Sequence, residues 1–172
     1  MSDKSVSEQA PVAFGHKLAS SQTFSTLFRE GMALVEETAT YLDGPGRQDS
    51  KKLERGPALT YATESMRLTT RLMQLASWLL LHRAVNEGEM SLADANKEKK
   101  KVKLTSGEPI DEQTLKLLPE RLRNLIGRSS ALQDKVRRLD ATIHAPLPEQ
   151  AAASPVDRHM GLLRAAFERN DA

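Results

Sequence analysis

The sequence predicts an all-α fold: a three-helix bundle with a long central helix 2, short connecting helices, a flexible N-terminal arm and a C-terminal tail. Three observations carry that expectation. Aromatic residues make up only 4% of the 172-residue chain, so the core has to be aliphatic, which suits helices and argues against an all-β sandwich. A stretch of about 31 residues, from Pro57 to just before Gly88, contains no helix breaker. Between Leu115 and Ile143 apolar positions recur in three-four alternation, the period of a left-handed bundle seam.

Residues 1–18 are polar, with Ser, Gln and Pro and no sustained period, and so read as a flexible arm. Ser20 or Ser21 can cap a first long helix carrying Phe24, Leu27, Phe28, Val35 and Leu42. Asp43-Gly44-Pro45-Gly46 ends that helix, and a polar loop is expected from there to Gly56. Pro57 suits N1 of helix 2, which at 1.5 Å per residue would run about 47 Å. Its main apolar stripe is Ala62, Met66, Thr69, Met73, Ala76 and Leu80; a second, about 100° away, is Leu68, Leu72, Leu75 and Leu79.

Ser91 and Asp94 form a capping-box pair for a short helix to about Lys99, and the basic run that follows, to Lys103, reads as a solvated face. Asp111 can cap another short helical stretch, and Pro119 starts helix 3. The seam is Leu115, Leu118, Leu122, Leu125, Ser129, Leu132, Val136, Leu139 and Ile143, and Ala145-Pro146-Leu147-Pro148 stops it. The expected organisation is therefore an arm (1–18), a bundle domain (19–145) and a tail (146–172). Within the tail Val156, Met160, Leu163 and Phe167 recur at helical spacing, a recognition segment that would order on a partner.

Several function classes lose support from composition. Without cysteine there is no disulfide framework, thiolate metal site or thiol nucleophile. A formal charge of +2, from 25 basic and 23 acidic side chains, does not mark a nucleic-acid binder. The amino terminus lacks a signal-peptide layout and the longest strongly apolar run is Trp78 to Leu81, so a cytoplasmic location without membrane contact is expected. His16, His82, His144 and His159 are scattered and form no H-E-x-x-H pattern, and no phosphate-cradling Gly loop or nucleophile elbow can be read. No catalytic, cofactor-binding or metal-binding residue is expected, and the chain does not read as an enzyme.

Interaction surfaces are the more informative feature. The first half of helix 2 is rich in Thr, a mediocre helix former, which makes Tyr61, Thr63, Glu64, Arg67, Thr70 and Arg71 a candidate partner-binding face. Their intramolecular satisfaction is the alternative. Trp78, Leu81 and Val85 lie on the side of helix 2 away from its main stripe and are the expected dimer interface.

The stretch from Leu59 to Val85, LTYATESMRLTTRLMQLASWLLLHRAV, resembles the signature of the regulator-of-CtrA-degradation (RcdA) family. So do Phe28-Arg29-Glu30-Gly31-Met32, Glu36-Glu37-Thr38-Ala39 and Tyr41-Leu42-Asp43-Gly44-Pro45-Gly46-Arg47, over about residues 13–140. The resemblance implies a small bacterial adaptor in cell-cycle proteolysis, a homodimer of three-helix bundles. It implies partnership with the ClpX/ClpP unfoldase–protease through a single-domain response regulator, with a second, cyclic-di-GMP-binding adaptor and with protein substrates, and concentration beside the protease at a cell pole. A scaffolding helical dimer and a nucleic-acid accessory protein are the competing readings.

Overall fold

In the computed structural model, residues 22–101 and 110–144 are described, and six helices account for nearly all of them. They are α1 (Gln22–Asp43), α2 (Pro45–Lys51), α3 (Arg55–Asn86), α4 (Leu92–Lys101), α5 (Glu112–Lys116) and α6 (Glu120–Ile143). The all-helical class and the three long helices agree with the sequence reading. The expected tail residues Val156, Met160, Leu163 and Phe167 lie outside the described residues, as do the arm and the end of the basic run, Val102 and Lys103.

α1 buries Phe24, Leu27, Gly31, Leu34, Thr38 and Tyr41, a line at three-four spacing, while Phe28, Val35 and Leu42 flank it half-buried. Gly31 lies on that line because a Cβ there would run into the Leu79 side chain, so its lack of a side chain sets how closely α1 approaches α3. The first half of the polar loop expected from Gly46 to Gly56 is instead part of the helix α2, and only Lys52, Leu53 and Glu54 lie between helices. Pro45 occupies the first turn of α2, where a missing N–H costs nothing, and Asp49 accepts a hydrogen bond from the Tyr41 hydroxyl at 3.0 Å. Gly46 fits beneath both tyrosines, since a Cβ there would stand 2.5 Å from the Tyr61 hydroxyl and 2.7 Å from the Tyr41 carbonyl.

α3 starts at Arg55, two residues before the expected Pro57, and ends in a Schellman motif. Gly88, at φ +74°, donates its N–H to the Val85 carbonyl, and Glu89 donates to that of Ala84. Ser91 caps α4 as expected: its Oγ accepts the Asp94 N–H at 3.1 Å and donates to the Asp94 carboxylate at 2.7 Å. α6 starts at Glu120 with Pro119 as its cap, one residue later than an N1 proline would give. Its seam is buried from Leu118 to Ile143, with Leu115 half-buried.

Cross-helix pairs give the directions. Arg128 with Glu37 and Lys135 with Glu30 run α6 antiparallel to α1, whereas Arg71 with Ser129 and Trp78 with Asp140 run it parallel to α3. Two parallel long helices need a return path along the bundle, and the segment holding α4 and α5 lies in it.

Candidate interaction surfaces and a buried polar cluster

Of the two apolar stripes expected to face neighbours within the bundle, one does so and the other does not. Leu68, Leu72, Leu75 and Leu79 are buried, joined by Tyr61, Glu64, Trp78, His82 and Val85. The stripe expected to be the main core face points outward: Met66, Met73 and Leu80 are 71%, 67% and 53% exposed, and Leu59 extends them at the same seven-residue interval. Both stripes have helical period, and α1 and α6 can cover only one of them. The choice falls on the side that carries Trp78, the bulkiest side chain of α3.

Trp78 and Val85 are therefore not spare surface, which corrects the premise on which they were expected at a dimer contact. Trp78 is 2% exposed; its ring packs 6.3 Å from that of Phe24 and stacks on His82 at 3.9 Å, and its indole N–H donates to Asp140 at 2.8 Å. Leu81 is half-buried and lines a shallow hollow with Ser77, Leu80, Ala84, Glu98 and Lys101.

The six residues of the candidate partner-binding face divide. Tyr61 and Glu64 are buried, Glu64 pairs with Arg67 at 3.0 Å, and the Arg71 guanidinium donates to Ser129 at 2.8 Å. Tyr61, Glu64 and Arg71 thus serve the monomer's own interior, the alternative raised above. Thr63, Arg67 and Thr70 are exposed. The threonine anomaly has a local cause: the hydroxyls of Thr60, Thr63 and Thr69 donate to the backbone carbonyls of Gly56, Leu59 and Ser65. At Thr69 this leaves the methyl group for the outward stripe.

A polar cluster missed by the sequence reading lies where α3, α4 and α6 meet. Asp140 accepts the Trp78 N–H and, at 2.6 Å, a bond from the Lys99 ammonium. Lys99 therefore turns inward, while Lys97 and Lys101 stay exposed beside Asp94 and Glu98. His82 and His144 donate from Nδ1 to the carbonyls of Trp78, at 2.9 Å, and Asp140, at 2.8 Å. His144 Nε2 meets the Asn96 side-chain oxygen. Burial lowers the pKa of His82, and its backbone bond and Asp140 only partly offset this. Burial acts to raise Asp140, but the Lys99 and Trp78 hydrogen bonds outweigh it and hold the carboxyl below its ordinary value. The four-residue interval from Asp140 to His144 was the available signal; the contribution of His82 comes from a different helix.

Comparison with known proteins adds to this geometry. A family model described as a protein of unknown function (DUF1465) matches residues 15–167. The crystal structure of RcdA from Caulobacter crescentus CB15 is 51% identical in sequence with a TM-score of 0.63, over 77% of this chain and 99% of that one. The chain belongs to the RcdA family. No curated protein matches it. Membership accounts for the match to Leu59–Val85, the segment in which α3 alternates core positions with the outward stripe. No helix among the described residues is long and apolar enough to cross a membrane.

Proposed function

We propose that this chain is a non-enzymatic adaptor in regulated proteolysis that delivers cell-cycle regulators to the ClpX/ClpP unfoldase–protease. The observation that carries the reading is the 51% identity to RcdA over 99% of that chain. In this reading a single-domain response regulator primes the protease, and a cyclic-di-GMP-binding adaptor joins for a subset of substrates. The exposed Thr63, Arg67 and Thr70 supply one docking face, and the segment with Val156, Met160, Leu163 and Phe167 supplies another. A tail with one short amphipathic stretch suits a contact that orders on binding.

The chain acts as a homodimer in the same proposal, with a revised contact. Leu59, Met66, Met73 and Leu80 recur every seven residues as exposed apolar side chains on α3, with Leu81 beside them, and that spacing suits helix-to-helix packing against a second copy. Omitting one component at a time from a reconstituted degradation reaction tests the adaptor role. Substrate loss that requires this chain supports it, and degradation indifferent to the chain would favour a scaffolding dimer.

A further inference from the structure

The cluster of His82, Asp140 and His144 has the donor set of a transition-metal site. Each residue offers one ligand atom, and these atoms all lie within 4.8 Å of one another. His82 is 1% exposed, and its Nε2 is buried without a hydrogen-bond partner. A carbonyl can only accept, so the bond from Nδ1 to Trp78 O fixes the imidazole proton on Nδ1 and leaves a lone pair on Nε2. His144 makes the same bond to Asp140 O, its Nδ1 also lies 3.3 Å from an Asp140 carboxylate oxygen, and its Nε2 meets the side-chain amide of Asn96. Imidazoles that ligate metals are typically oriented in this way, by donating the other ring nitrogen to a carbonyl or carboxylate. Ligation through His144 Nε2 would displace the Asn96 amide from that nitrogen.

The structure also shows that the position attracts positive charge, because the Lys99 ammonium sits on the Asp140 carboxylate. Lys99 is only about a quarter exposed, at 26%, but it lies near the end of α4 and its four-carbon stem can retract to solvent. We propose that His82, Asp140 and His144 bind a borderline divalent transition metal ion, with zinc the reference case, which takes the place of the Lys99 ammonium on Asp140. Two neutral imidazoles and one carboxylate suit zinc and its neighbours, whereas magnesium and calcium prefer oxygen donors alone. Asp140 and His144 are 19% and 26% exposed, so solvent reaches both. Donor atoms around tetrahedral zinc stand about 3.3 Å apart for bonds near 2.0 Å, so ligation would draw these atoms up to about 1.5 Å closer. The ion would join α3 to α6 and release Lys99 from the bundle.

The test uses the full chain, stripped with a chelator, titrated with zinc chloride by calorimetry and followed through the emission of Trp78, the one tryptophan in the sequence. Trp78 stacks on His82 and donates to Asp140, so occupancy should change its emission. The expected result is saturation at one ion per chain and no response to magnesium chloride. His144→Gln, at a partly exposed position, should weaken binding at least about tenfold. Lys99→Met should tighten it, a change that general disruption of the fold would not produce. Replacing His16 and His159 with Gln together should leave the affinity unchanged. The proposal is overturned if zinc does not saturate at one ion per chain, if His144→Gln binds as the parent does, or if affinity is lost only with His16 and His159.

Discussion

Met73→Glu separates a contact between chains from a contact within one. Met73 is 67% exposed on the outward stripe of α3, so about two-thirds of it is available to the proposed second copy. Fully burying a methionine contributes about 1.5–3 kcal/mol, which makes the uncovered part worth about 1–2 kcal/mol. A two-fold contact carries the substitution twice, giving about 2–4 kcal/mol, or a rise in dimer Kd of about 30- to 700-fold. Desolvation of two carboxylates adds to this, so the lower figure is a floor. The monomer should keep its stability within about 0.5 kcal/mol, because the side chain is exposed and Glu and Met have similar helix propensities. Sedimentation equilibrium gives the Kd, and thermal denaturation of dilute protein gives the stability. Trp78→Ala provides the contrast: removing a core side chain should cost about 3–5 kcal/mol and lower the melting temperature even at dilution. A Met73→Glu protein that folds normally and dimerises as tightly as the parent would refute the assignment of this face.

Other expectations follow from single residues. Gly31→Ala places a methyl group against Leu79, itself fully buried, and should destabilise the bundle by about 1–3 kcal/mol in a denaturant titration; an unchanged midpoint would contradict the close α1–α3 approach. Tyr41 and Tyr61 are both raised above the ordinary phenol value of 10, first by burial, with the Asp49 carboxylate adding to the effect at Tyr41. The folded state therefore holds these protons longer than the unfolded chain. Their contribution is complete below about pH 10 and fades as pH rises towards the folded pKa values. Tyrosinate absorbance reports both groups, the only tyrosines present, and should lag behind the ordinary phenol curve until the chain unfolds. Deleting residues 146–172 should leave the melting curve nearly unchanged, since the seam ends at Ile143, while impairing delivery of at least one substrate; strong amide protection of residues 156–167 in the free protein would contradict that.

Legibility in the sequence followed the physics of each element. The α6 seam was readable residue by residue because a heptad-like repeat on one helix is local information, and eight of its nine positions, Leu118 to Ile143, are buried. The Ser91 cap and the Gly88 stop were readable because their hydrogen bonds reach only a few residues away. The faces of α3 were not, because two apolar stripes satisfy the same period and their assignment depends on where α1 and α6 lie. The helical nature of α2 was hidden by its polar composition, and its hold comes from Tyr41 and Tyr61 across the bundle end. Glu64 and Arg71 looked like surface charges, yet one is buried and the other reaches Ser129, a partner 58 positions away. The polar cluster escaped for the same reason, since Trp78, Lys99 and Asp140 meet only after folding.

Whether this chain links substrates to a protease is decided by a reconstituted degradation reaction. ClpX, ClpP, the single-domain response regulator and a fluorescent cell-cycle substrate would be combined with and without the full chain, and with the chain lacking residues 146–172. An adaptor gives ATP-dependent substrate loss that requires the full chain and falls when the tail is removed. Equal degradation in all three reactions, with each component shown active on a substrate that needs no adaptor, would contradict the adaptor role.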